Sequence, residues 1–163
     1  MRLLRARRGT TAIEFAIAAI PLLVLLIGII ELSWQYATAA ALDAAVLRAS
    51  RFGITGQATA AGAPPQYTCR SQTIPWIIGN STGGIINPAN LKVSIQSYGN
   101  ASDLAAGTPV PGAGTAGQIV TYSVKYTQPF LTGAWITLIG GPASLTHHAQ
   151  IVVKNEPFDN ATC

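Results

Sequence analysis

The sequence predicts an α+β protein: a long N-terminal helix, membrane-spanning in its first half, followed by a small antiparallel sheet domain. Three observations carry this reading. A cluster of arginines leads directly into Phe15 to Ile30, sixteen residues without a charged or hydrogen-bonding side chain. Apolar residues at helical spacing then continue to about Phe52. Beyond that point three segments alternate apolar and polar residues with the period of a half-buried strand.

Charge content supports the first element. Only 10% of the 163 residues are charged, where a soluble globular domain runs near about 25%. The formal net charge of +4 is concentrated at one end, because Arg2, Arg5, Arg7 and Arg8 supply four of the ten basic residues. Without them the chain carries six basic and six acidic side chains. A nucleic-acid binder needs a cationic face to displace counterions from phosphates, and the body of this chain has none. The chain is expected to have no nucleic-acid partner.

The apolar run reaches bilayer length, about residues 13–34, if Glu14 and Glu31 sit near the two interfaces. The arginines hold the N-terminus in the cytoplasm and send the C-terminal part outward. Trp34 and Tyr36 suit an interfacial aromatic belt at the far end. A buried helix of a soluble protein is one alternative. A secretory signal cut near Ala37–Ala41 is another. Against the latter, Leu32, Ala39, Leu42, Val46 and Ala49 continue the helical pattern, with Gln35, Asp43 and Arg48 elsewhere on the helix. Arg48 and Arg51 suit the negative end of the helix dipole, and Gly53 offers a C′ residue. Pro21 removes the hydrogen bond to the Ile17 carbonyl and predicts a kink, or a segment able to melt during extraction from the bilayer.

Glu14 stands out, since a carboxylate entering an apolar helix costs free energy unless it has a partner. It lies five positions after Gly9, in Arg8-Gly9-Thr10-Thr11-Ala12-Ile13-Glu14-Phe15. This string resembles a type IV prepilin leader, and its Glu-Phe pair resembles the Glu-Tyr of small Flp pilins. The wider segment RRGTTAIEFAIAAIPLLVLLIGIIELSWQYATAAALDAAVLRASRFG resembles the N-terminal region of TadE-like proteins, with Glu-Phe-Ala, the mid-helix Pro21, Gly28-Ile-Ile-Glu31 and an arginine-rich helix end. Val152 to Phe158 also looks like the close of such chains.

The resemblance implies a pilin-like fold and a minor pseudopilin or assembly component of a tight-adherence (Flp/Tad) pilus in the bacterial inner membrane. It implies cleavage between Gly9 and Thr10 by a prepilin peptidase, and pairing of the freed Thr10 amine with the Glu14 of a neighbouring pilin-like subunit. Its implied partners are that peptidase, other pilin-like subunits and the Tad assembly machinery. An unprocessed signal anchor, with Glu14 snorkelling to the interface, is the alternative. The expected organisation is a basic leader over 1–9, a long helix over 10–53, and an exported α+β domain over 54–163 with its C-terminus periplasmic or extracellular.

In the exported part, 54–66 reads as a connector and 71–79 as a short helix or turn around Pro75-Trp76. Strands are expected at 91–98, at 118–126 with Val120, Tyr122, Val124 and Tyr126 inward, and at 145–154 with His147, Ala149, Ile151 and Val153 on one face. The Gly/Ala/Pro-rich stretch 99–117 reads as a mobile surface loop. Cys69 and Cys163, the two cysteines, suit one bridge in an oxidising compartment, with free thiols or an intermolecular link as alternatives.

His147 and His148 are adjacent on a strand, point to opposite faces and cannot readily grip one metal. Three Asn-X-Ser/Thr triplets, at Asn80, Asn100 and Asn160, are expected to carry no sugar in a bacterial protein. The sequence holds no phosphate-binding loop, nucleophile elbow or metal-spaced Cys/His cluster, so no catalytic residue, cofactor or metal is expected. The rival to a structural role in pilus assembly is a membrane-anchored binding module or adhesin that uses the 99–117 loop, Trp76 and Trp135 as its contact surface.

Overall fold

A computed structural model describes the backbone of residues 8–159 and the side chains of residues 11–159. The leader arginines Arg2, Arg5 and Arg7, together with Asn160 and Cys163, lie outside the described residues. The order of elements is α1 (Arg8–Ile54), α2 (Arg70–Asn80), a short 3-10 turn (Pro88–Asn90), β1 (Leu91–Tyr98), α3 (Ala101–Ala106), β2 (Val110–Pro111), β3 (Ile119–Pro129), α4 (Gly133–Leu138) and β4 (Ser144–Lys154). The chain divides into two units, residues 1–36 and residues 37–163, and α1 contributes to both.

At 47 residues, α1 is about 70 Å long. It runs through Pro21 without interruption. Nothing in its second half breaks the helical spacing until Gly56, whose φ of 73° requires a residue without a Cβ. The expected terminator Gly53 is instead helical and buried. A Cβ there would overlap the Tyr122 hydroxyl, so Gly53 is needed for close approach and not for a left-handed turn.

In the unit spanning 37–163, one four-stranded antiparallel sheet has the order β2-β1-β3-β4. The register pairs Val93 with Val124 and Tyr122 with Ile151, so the alternating apolar residues of three strands share a face. That face packs on α1 and α2. Leu42, Ala45, Val46 and Ala49 from α1 and Ile74, Ile77 and Ile78 from α2 form one core with Val120, Tyr122, Val124, Tyr126 and Ala149. The α+β arrangement expected from the sequence is the one observed.

The stretch 99–117 departs from the expected mobile loop. Asn100 caps α3, its Oδ1 accepting from the Asp103 N–H at 3.0 Å, and Gly107 closes the helix with φ 66°. Val110 and Pro111 then add an edge strand opposite Gln96 and Ser97. The polar and Gly-rich composition that suggested a loop is that of a short capped helix between tight turns.

Candidate functional site

The residues expected to carry function lie on α1, and their setting follows from its composition. The 18-residue apolar window of this helix has a mean hydropathy of 2.7, and none of it is buried. Phe15 is 74% exposed and Ile17 is 68% exposed. Covering such a side chain with an apolar environment is worth about 1.5–3 kcal/mol, and the exposed residues continue from Ile13 to Ile30. The buried core helix of a soluble protein, the alternative raised by the sequence, does not have this surface. Among the described residues, α1 is the one helix long and apolar enough to cross a membrane.

Within the first unit the two carboxylates differ. Glu14 is exposed, and no described residue forms an ion pair or hydrogen bond with it. Glu31 is buried and accepts a hydrogen bond from Gln35 Nε2 at 3.2 Å, an i,i+4 pair on one helix face. Seven-residue steps place Glu14, Pro21, Gly28 and Gln35 along one face, drifting by about 20° per step. A Cβ on Gly28 would meet nothing within 4 Å. Nothing among the described residues requires glycine there, whereas a second helix approaching closely would. Tyr36, at the end of the apolar stretch, is 76% exposed, as a residue of an interfacial belt would be.

The expected cleavage position, Gly9 and Thr10, lies in the first turn of α1, with its side chains outside the described residues. Cys69 occupies the N-cap of α2 and is not a free thiol. Its expected partner Cys163 is outside the described residues, so the pairing of the two remains an expectation.

The other candidates fall in the second unit. Trp76 is half-buried and lines a cleft with Arg48, Phe52 and Ile77, whereas Trp135 is 74% exposed on α4. The two tryptophans of the adhesin reading therefore differ in access. His147 and His148 sit opposite buried Tyr126 and exposed Lys125, so their side chains do diverge. Burial, and then the neighbouring His148, hold His147 below the usual imidazole range.

Sequence reasoning missed Arg70, which is 1% exposed. It donates to the carbonyls of Gly53 at 2.9 Å, Ala113 at 3.0 Å and Gly114, and its guanidinium lies 4.8 Å from the Phe158 ring centre. Burial lowers its pKa, partly offset by Tyr122. The available signal was an arginine directly before an apolar helical run, with no acid nearby in sequence to pair with it.

The family model described as TadE-like protein matches residues 9–51, which is all but the last three residues of α1 after Arg8. No curated protein and no solved structure matches the chain.

Proposed function

The chain is TadE-like through residues 9–51, and from that premise we propose that it is a minor pseudopilin or structural assembly component of a tight-adherence (Tad) pilus. In this reading α1 sits in the bacterial inner membrane over about residues 13–34, with its N-terminus cytoplasmic and residues 54–163 periplasmic or extracellular. The observation that carries it is the exposed carboxylate Glu14 at the head of an apolar helix whose apolar window is unburied among the described residues.

The physical logic is one of charge and register. Cleavage after Gly9 by a prepilin peptidase removes the four leader arginines and with them the attraction to anionic lipid. It also creates an ammonium on Thr10. Placed beside the Glu14 of a neighbouring helix, that ammonium satisfies a carboxylate that is costly in lipid and fixes the stagger between subunits. Gly28 offers a point of close helix approach on the same face, and Pro21 a place where the helix can bend or melt as it leaves the bilayer.

The test is replacement of Glu14 in the native host, read by pilus assembly and by N-terminal sequencing. Glu14→Ala abolishes piliation and leaves the protein membrane-bound, and the wild-type chain begins at Thr10. A chain that begins at Met1 or at Ala37–Ala41 overturns cleavage at Gly9. Normal piliation in Glu14→Ala favours the membrane-anchored binding module.

A further inference from the structure

The connection between β3 and β4 carries an apolar surface that the assembly reading leaves unused. From Phe130 to Leu145 it has no charged side chain. Leu131 is 62% exposed, Trp135 74%, Leu138 77% and Ile139 84%. Core packing does not account for four large exposed apolar side chains in one sixteen-residue segment, and such a patch marks an interaction site.

The place of this segment within its unit says what covers it. The Glu156 N–H donates to the Ile54 carbonyl at 3.0 Å, while Asp43, Val46 and Leu47 line one cleft together with Ala149, Gln150 and Ile151. Going back along α1 thus corresponds to going back along β4. The same direction leads to Ser144 and the hairpin tip at one extreme, and to Ala37, where α1 enters the unit, at the other. The tip and Ala37 share one end of the unit. Ala37 is three helical residues beyond Trp34, a separation of about 5 Å. Whatever the angle at which the apolar stretch meets the unit, its end lies close by along the chain.

Several backbone groups of the tip are satisfied within it, which suits an element entering a region of low polarity. Phe130 N–H donates to Ala143 O at 3.0 Å, Trp135 N–H to Thr132 O at 2.9 Å and Gly141 N–H to Ile136 O at 2.9 Å. The Thr137 hydroxyl is turned back onto the carbonyls of Gly133 and Ala134, at 2.9 and 3.0 Å.

We propose that the β3–β4 tip, residues 130–143, is a second membrane contact that lies in the interfacial region of the leaflet from which α1 emerges. Trp135 anchors at headgroup level while Leu131, Leu138 and Ile139 reach the acyl boundary. Two contacts on one bilayer face would hold the sheet against the membrane and restrict its rotation about α1. The proposal rests on the membrane-anchored reading of α1.

The full chain, reconstituted in phosphatidylcholine/phosphatidylglycerol vesicles, tests it through tryptophan emission with and without lipids brominated on the acyl chain. Brominated lipid quenches the parent more than it quenches Trp135→Phe, and the difference is the contribution of Trp135. Trp34 and Trp76 remain in Trp135→Phe, and the quenching lost when Trp34→Phe is added to that chain is the contribution of Trp34 and reports the span. Leu138→Glu combined with Ile139→Glu, at two exposed positions, removes the Trp135 contribution without shifting the urea midpoint. Equal quenching of parent and Trp135→Phe overturns the tip contact and leaves the span standing. No quenching in either overturns the span and the contact together. Shielding of Trp135 from both lipid and aqueous iodide overturns the proposal in favour of a second copy of the chain on this face.

Discussion

The Arg70 guanidinium donates to the Gly53 carbonyl across 2.9 Å, tying the first residue of α2 to the last turn of α1. The last carbonyls of a helix have no partners within it, and the dipole makes that end favour a cation. One buried side chain meets both needs, and also holds the Ala113 and Gly114 carbonyls of the β2–β3 turn. The long helix, the β2–β3 turn and the Phe158 segment therefore converge on a single arginine.

Arg70→Ala takes the side-chain donor from the Gly53 and Gly114 carbonyls and leaves the Ala113 carbonyl only Asn155 Nδ2, at 3.0 Å, and is expected to lower stability by about 2–4 kcal/mol. Arg70→Lys is expected to recover little. One ammonium on a flexible stem cannot serve carbonyls from two directions as a planar fork does. Urea denaturation of the detergent-solubilised chain, followed by near-ultraviolet circular dichroism, reads the change. A loss below about 1 kcal/mol for Arg70→Ala, within the range of an ordinary surface substitution, overturns the central role of this residue.

Tyr122 makes stability depend on alkali. Its hydroxyl is buried and finds no hydrogen-bond partner among the described residues. Burial, partly offset by Arg70, pushes its pKa from 10.0 up to about 12. The folded state thus favours the neutral phenol. Below pH 10 that preference is fully present. As pH rises from 10 to about 12, the unfolded chain ionises first and stability falls by up to about 1.4 kcal/mol per pH unit. Tyr122→Phe is expected to be close to neutral at pH 8, because it removes an unsatisfied hydroxyl, and to flatten the alkaline decline. Urea midpoints of the two chains at pH 8, 10 and 11.5 check this, and an unchanged slope in Tyr122→Phe assigns the decline to another group.

The reach of sequence reasoning followed the length of the periodic signal. Leu91–Tyr98 is found where the alternation placed it, and β3 and β4 differ from expectation only at their ends. Each strand buries one face, so its pattern is written into consecutive residues. The apolar half of α1 is equally plain, because its composition is apolar over a long uninterrupted stretch. The elements that were missed are specified by contacts distant in sequence. Gly53 is glycine because of Tyr122, and Arg70 is buried because two segments present carbonyls to it. Nothing local distinguishes Gly53 from Gly56, yet only Gly56 takes the left-handed conformation. The candidate residue Glu14 stands out for the opposite reason, as the one charge at the entrance of an otherwise apolar run.

Cys69 is not a free thiol, and its covalent partner bears on the stability of the unit spanning 37–163. Cys69 precedes Arg70, and the Phe158 ring already lies on the Arg70 guanidinium. The chain therefore comes to the neighbourhood of Cys69 five residues before Cys163. A bridge between the two closes a loop of about 95 residues and contributes up to about 4–5 kcal/mol in the chain-entropy model. Alkylation of the unfolded, unreduced chain is expected to label no thiol, and digestion to give one peptide pair joining Cys69 to Cys163. Cys69→Ser with Cys163→Ser is expected to lower the urea midpoint while leaving membrane anchoring through α1 unchanged. Two alkylated thiols before reduction, or a chain that doubles in mass without reductant, would show that the bridge is absent or runs between subunits.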